Sequence, residues 1–234
     1  MTTPRFRDFH RIVFFTGAGL SAESGIPTYR GQGGVWHQYD YRTYACQAAF
    51  DADPEKVWEF HDVRRAAVAR CEPNAGHRVI AEVQRAKPAT AIVTQNIDGL
   101  HARAGGRDVI ELHGSLWRVR CEREGTIRTV DRADGPEHVR RCACGGPLRP
   151  DIVWFGDVLD RQVMGHAVDA LTAADLIVSI GTSGVVYPAA DLPRIAVEAG
   201  ATSVEINLED TPVSELFQYR MRGPASELLA AMNA

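Results

Sequence analysis

The chain has 234 residues, 45% of them hydrophobic, enough to bury one sizeable core and too few for two large domains, so one domain with insertions is expected. Its formal net charge is −4 and no basic run stands out, which excludes a nucleic-acid footprint built on electrostatics. The opening MTTPRFRDFH lacks an apolar targeting core, and no apolar stretch approaches the roughly 18 residues of a membrane span, so a cytoplasmic protein without a membrane partner is expected.

Ile12–Thr16 is a continuous apolar strand signal that breaks into GAGLSAESGIPTYRG over residues 17–31. Gly17 permits a tight turn, Gly19 lets an anion approach the backbone, and Ala22 takes the third small position. The segment therefore satisfies G-x-G-x-x-G/A between a strand and a helix, where a dinucleotide pyrophosphate can sit. Spacing alone does not separate this from a glycine turn that binds nothing. Residues 32–75 interrupt the strand rhythm and hold a helix started by Asp53 as N-cap and Pro54 at the first position. Val57, Phe60 and Val68 mark its core face, with His61 and Arg64 as i,i+3 neighbours beside that face.

Ala91–Thr94 is the next strand, followed by Asn96 and Asp98, short polar residues that either form a turn or face a ligand. Residues 109–112 form another, ending at His113 and Gly114, where an imidazole can project with little bulk beside it and, titrating near neutrality, serve as a base. Residues 117–149, rich in Arg, Cys and Gly, break the rhythm again before strand runs at 152–155, Leu176–Ile180 and 204–207. The predicted fold is α/β, a doubly wound parallel sheet of Rossmann type built from residues 1–31, 76–116 and 150–234. It carries a helical insertion at 32–75 and a small zinc-ribbon-like Cys module at 117–149, and ligands are expected at the carboxyl ends of the strands.

The longer string from Gly17 to Arg30 resembles the signature of the sirtuins. So do Thr94-Gln95-Asn96-Ile97-Asp98-Gly99-Leu100-His101 and Glu111-Leu112-His113-Gly114-Ser115. Later blocks around residues 148–156, Gly181-Thr182-Ser183 and Tyr187-Pro188-Ala189-Ala190 extend the likeness over nearly the whole chain. The resemblance implies an NAD-consuming protein-lysine deacylase. The carbonyl oxygen of an acylated lysine attacks C1′ of the nicotinamide ribose and expels nicotinamide. His113, as general base, then activates a ribose hydroxyl, giving free lysine and O-acyl-ADP-ribose.

By the same resemblance, NAD is held by Gly17, Ala18, Gly19, Ser21, Ala22, Glu23, Tyr29, Arg30, Trp36, Gln95, Asn96, Ile97, Asp98, Gly181, Thr182, Ser183, Asn207 and Glu209. Ser21, Arg30 and Ser183 serve phosphates and riboses, Asp98 the nicotinamide carboxamide, and Asn207 with Glu209 the adenosine, while Asn96 and Asp98 join His113 in the catalytic set. The substrate side comprises Ala45, His61, Arg64, Val153, Phe155, Gly156, Val185 and Tyr187. A peptide strand is expected to add between the segments around 153–156 and 184–187. The partners implied are acylated-lysine proteins met by a monomer.

Two departures from the family pattern matter. Sirtuins selective for succinyl and malonyl groups carry Tyr-x-x-Arg where this chain has His61-Asp62-Val63-Arg64. Arg64 can still fork onto a carboxylate, and Ala45 leaves room for it. With His61 in place of the phenol, acidic-acyl activity is expected to weaken as pH rises past roughly 6.5. The family's paired C-x-x-C zinc signature is degraded to Cys121, then Cys142 and Cys144, with Glu124 or His138 available as a fourth ligand. Cys46 and Cys71 read as small buried hydrophobes, and no disulfide is expected. A plain deacetylase, an ADP-ribosyltransferase or NAD hydrolase, and a non-catalytic NAD or ADP-ribose sensor stay open as alternatives.

Overall fold

The computed structural model describes residues 3–30, 33–130 and 140–234. In chain order the principal elements are β1 (Ile12–Thr16), α1 (Ala18–Ala22), α2 (Val35–Gln38), α3 (Tyr41–Tyr44), α4 (Gln47–Ala52), α5 (Pro54–Ala69), α6 (Ala75–Ala86), β2 (Ala91–Thr94), α7 (Leu100–Arg103), β3 (Ile110–Glu111), β4 (Gly114–Cys121) and β5 (Ile127–Thr129). They continue with β6 (Leu148–Ile152), α8 (Arg161–Thr172), β7 (Leu176–Ile180), α9 (Leu192–Glu198), β8 (Thr202–Asn207), β9 (Tyr219–Arg222) and α10 (Ala225–Asn233). Six strands form a parallel sheet in the order β3-β2-β1-β7-β8-β9, the doubly wound order, with the strand order reversing beside β1.

All five residues of β1 are buried, because helices cover both faces of the sheet. Alternation along the strand divides them: Ile12 and Phe14 enter one core with Ile80 of α6 and Leu229 of α10, while Val13 and Phe15 enter another with Leu171 of α8 and Ala196 of α9. A third core, including Phe50, Val57, Trp58, Leu116, Val119 and Trp154, joins α4 and α5 to the small antiparallel sheet β5-β4-β6. Asp53 caps α5 by accepting from Lys56 N at 3.1 Å, and Pro54 occupies the first turn. No helix among the described residues is long and apolar enough to cross a membrane.

Two strand expectations differ from the structure. Residues 152–155 do not extend the parallel sheet. The strand here is Leu148–Ile152, and it pairs with β4 in the small sheet, which thus begins at Gly114 and ends at Ile152, outside the predicted 117–149 module. The sixth parallel strand is instead β9, whose Tyr-Arg-Met-Arg lacks the apolar continuity of a central strand because it lies at the sheet edge. Cys46 and Cys71 are half-buried rather than sealed in the core.

Candidate functional site

At the strand-order reversal, the turn after β1 interlocks with the turn after β7. Gly17 N donates to Ile180 O and Gly19 N to Gly181 O, each at 2.9 Å. A Cβ on Gly17 would lie 2.7 Å from Gly181 O, and one on Gly19 2.7 Å from Gly181 Cα, so two chains meet where no side chain fits. These turns floor a cavity of about 760 Å³ that runs along the carboxyl ends of the strands.

The catalytic candidates converge on this floor. Asn96 follows β2, and its Nδ2 donates to Gly17 O at 3.0 Å and to Ser21 Oγ at 3.2 Å. Ser21 Oγ in turn donates to Asp98 Oδ2 at 2.7 Å, while Asp98 Oδ1 accepts from Leu100 N at 2.8 Å. Burial raises the Asp98 pKa, opposed by the Leu100 N–H and the Ser21 hydroxyl. Ser21 is fully buried and does not line the large cavity, contrary to its expected place against a phosphate or ribose; it is the polar link beneath Asn96. Asp98 shares with it a small recess that also touches Tyr29, Arg64 and Ile97.

His113 stands two residues beyond β3, with Nδ1 at 3.0 Å from Gln95 O. A carbonyl can only accept, so Nδ1 carries the proton of the neutral ring and Nε2 is left bare, the form a general base requires. Burial lowers the His113 pKa, opposed by the Gln95 carbonyl and assisted by Arg30, so the ring is neutral at neutral pH. Gly114 then turns into β4 at φ +75°, and its absent Cβ would come 2.1 Å from Asp151 O. Val153 N returns to His113 O at 3.0 Å, and Arg118 bridges Glu111 and Asp151 at 2.6 and 2.9 Å, so the base and the segment after β6 are bonded together.

The remaining predicted residues divide by position. Ala18, Ala22, Arg30, Gln95, Ile97, Thr182 and Ser183 line the middle of the cavity, and Asn207 and Glu209 its end beside β8. Glu23 reaches the rim, but its carboxylate accepts from Ser226 N at 3.1 Å and from the Ser226 hydroxyl, so it caps α10. Tyr29 packs at a tilt against Trp36, their ring centres 5.6 Å apart. Val153, Phe155, Gly156, Val185 and Tyr187 line the opposite mouth, with Tyr187 64% exposed. The N–H groups of Val153, Trp154 and Phe155 already bond to His113 O, the Asp157 carboxylate and Ala45 O, so an added strand would meet this side through carbonyl oxygens. Sequence reasoning missed Phe60, Trp154 and, around the predicted Glu209, the rest of the 208–212 loop as lining residues. The buried Glu205, which holds that loop through Thr211 and Ser214 at 3.0 and 2.7 Å, is the signal that could have found it.

Ala45, His61 and Arg64 also line the cavity. Arg64 donates to Tyr29 OH at 2.9 Å and lies over the Tyr29 and Phe60 rings at 4.7 and 5.8 Å, so it is neither solvated nor idle. His61 is 3% exposed and accepts from Trp154 Nε1 at 3.1 Å. Burial, then Arg64, Arg65 and Arg149, push its pKa down to about 3. The expected titration near 6.5 is therefore not a property of His61, which stays neutral throughout the physiological range.

Cys121, Glu124, Cys142 and Cys144 bring their ligand atoms within 4.8 Å of one another. Cys121 and Cys144 Sγ are 3.5 Å apart, and Cys142 Sγ lies 3.8 Å from Glu124 Oε2. Tetrahedral zinc with bonds of about 2.3 Å needs ligand edges of about 3.8 Å, so this three-thiol, one-carboxylate set fits the ion. The alternative ligand His138 falls outside the described residues.

The sequence profile of the Sir2 family matches residues 17–188. NAD-dependent protein deacylase 2 of Pyrobaculum aerophilum is 46% identical over 219 residues, covering 93% of this chain and 87% of that protein. Among solved structures, a Sir2 homolog–NAD complex is 42% identical with a TM-score of 0.90, covering 97% of this chain and 89% of that one. A Sir2–p53 peptide–NAD+ complex is 32% identical with a TM-score of 0.83, covering 97% and 93%.

Proposed function

The chain belongs to the Sir2 family, and on that footing we propose that it is an NAD-dependent protein-lysine deacylase, releasing nicotinamide and O-acyl-ADP-ribose. The observation that carries this is the His113 ring, held by Gln95 O with Nε2 bare, in one cavity with the interlocked glycine turns and Asn96. Here NAD is a substrate that is used up. The glycine turns floor the part of the cavity where a pyrophosphate sits, and Asn96, pinned on Gly17 O, holds the ribose edge. The acyl oxygen attacks C1′ as nicotinamide leaves. His113 Nε2 then takes the proton of a ribose hydroxyl, which adds to the amidate carbon, and water completes release of the lysine. Steady-state formation of O-acyl-ADP-ribose from an acyl-lysine peptide, compared with His113→Ala, tests the reading; equal formation by both would overturn it. Release of ADP-ribose without peptide would instead favour transferase or hydrolase chemistry.

Within this activity the acyl group is a dicarboxylic one, read by Arg64. Its guanidinium is anchored on Tyr29 OH by one nitrogen and keeps its other donors for a carboxylate. Turnover of one peptide carrying acetyl, succinyl, malonyl or glutaryl lysine, with Arg64→Met alongside, decides it; an acetyl preference untouched by Arg64→Met would mean a deacetylase. The Cys121–Glu124–Cys142–Cys144 set holds a structural zinc. The compartment proposed is the cytoplasm, where thiols stay reduced for a metal, and the chain is taken to act as a monomer.

A further inference from the structure

Residues 95–99, between β2 and α7, carry Gln95, Asn96 and Asp98, and the middle of this loop is held from β4. Leu116 N donates to Ile97 O at 2.9 Å and Trp117 Nε1 to Asp98 O at 2.7 Å. The two ends are tied differently. Thr94, the last residue of β2, accepts the Asn96 N–H on Oγ1 at 3.0 Å. His101, the second residue of α7, reaches back to Thr16 at the end of β1. Thr16 Oγ1 lies 2.8 Å from Thr94 Oγ1 and 2.9 Å from His101 Nε2, so one hydroxyl joins the residue before the loop to the first turn of the helix after it.

A hydroxyl has one proton, and that sets the direction of these bonds. Thr16 donates it to Thr94 Oγ1, so toward His101 it can only accept, and Nε2 is the donor. Burial, then the neighbouring His77, lower the His101 pKa, so the ring is neutral, protonated on Nε2 and bare on Nδ1. That Nδ1 is buried without a partner, as are both nitrogens of His77, whose ring centre lies 5.0 Å away. A leucine or phenylalanine would fill this position without stranding a polar atom, so packing does not account for an imidazole here. The bond from Nε2 does.

We infer that His101 is a positioning residue for the catalytic loop: its Nε2–H clasps the Thr16–Thr94 hydroxyl pair, closing residues 95–99 at both ends and fixing Asn96 and the Gln95 carbonyl. The inference rests on the deacylase reading above and deepens it, because Gln95 O is the acceptor that sets the His113 tautomer. Thr16 also holds the start of the loop through its own carbonyl, which accepts from Gln95 N at 2.9 Å. His101 lines neither the large cavity nor the recess beside Asp98, yet it steadies the carbonyl that leaves the base bare on Nε2.

The test joins steady-state formation of O-acyl-ADP-ribose, NAD varied at saturating peptide, to imidazole ¹⁵N shifts of the protein alone, for the wild type, His101→Leu, His101→Gln, Thr16→Val and Thr16→Ser. Wild-type His101 should be protonated on Nε2 and His113 on Nδ1, each as a single tautomer. His101→Leu and Thr16→Val should each lower kcat about tenfold, the size of one hydrogen bond, with KM for NAD changed less than about twofold. Their double variant should lose no more than either alone, because both break one clasp. In each of them His113 should become a mixture of tautomers. His101→Gln and Thr16→Ser, which keep an N–H and a hydroxyl there, should retain the rate and the single tautomer. A lowered Tm in His101→Leu with kcat and the His113 tautomer unchanged would make His101 a packing residue and overturn the inference. So would equal losses in His101→Gln and His101→Leu, or a wild-type His101 protonated on Nδ1, a result that needs no variant to fold. If His113→Ala forms product as fast as the wild type, the deacylase reading falls, and the tautomer shifts, read without turnover, still decide whether His101 holds the loop.

Discussion

Replacing Ser21 by alanine removes a buried hydroxyl that lies outside the large cavity. Its oxygen accepts from Asn96 Nδ2 and donates to Asp98 Oδ2, all three residues being buried. The variant leaves a carboxylate oxygen and an amide N–H without that partner, while Asn96 keeps Gly17 O and Asp98 keeps Leu100 N. Orphaning buried groups of this kind costs roughly 2–3 kcal/mol, which for a chain of this length lowers Tm by about 4–12 °C. Because Asn96 loses one of its two anchors, kcat should fall about tenfold with KM for NAD nearly constant. Thermal unfolding and steady-state nicotinamide release, with NAD varied at saturating peptide, measure both. If KM for NAD rises several-fold at unchanged Tm, Ser21 contacts the nucleotide directly and its assignment to the polar core is wrong.

Three further outcomes are expected. His113→Ala should lower kcat/KM by about 10²–10⁴-fold, and the wild-type rate should hold level from pH 8 down through the usual histidine value, falling only at more acid pH, since burial lowers the pKa of this base. Stability should also be lost in acid: burial depresses His61 to about 3, His77 to about 4 and His101 well below 6.5, so the unfolded chain binds more protons once pH drops below about 6.5. Three such groups give a slope of up to about 4 kcal/mol per pH unit, and His77→Phe should flatten the decline of Tm between pH 6.5 and 4. Elemental mass spectrometry should find one zinc per chain, and Cys142→Ser or a strong chelator should remove it and lower Tm; a metal-free chain with the same Tm would mean that packing alone holds the module.

The parallel sheet was legible because its inner strands are continuous apolar runs and its ligand turn cannot be built without glycine at 17, 19 and 181. The site was legible in outline because motif blocks sit at strand ends, where the fold gathers them. What sequence could not supply was direction. Nothing in the order Gly-Leu-Ser-Ala tells that Ser21 faces inward to Asp98 while Ala22 faces the cavity. His61 reads as a titrating residue until the three arginines and the indole around it are brought together from positions 64 to 154. Arg149 looks like a surface charge, yet it is sealed between Asp157 and the Trp154 ring. Edge strand β9 alternates polar and apolar residues and so escapes a search for apolar runs.

The junction at Gly114 has a mechanical consequence. His113 and Val153 are joined by a backbone hydrogen bond, Gly114 pairs with Ile152, and the Glu111–Arg118–Asp151 bridge ties the strands that carry them. The proton acceptor and the rail against which a peptide would lie therefore belong to one stiff piece. Because Leu112 N also bonds Thr94 O and His113 Nδ1 lies on Gln95 O, that piece extends into the large sheet, and base, rail and glycine floor keep their spacing. Any opening for product exit would then fall to the other walls of the cavity, with the spacing of base to lysine preserved.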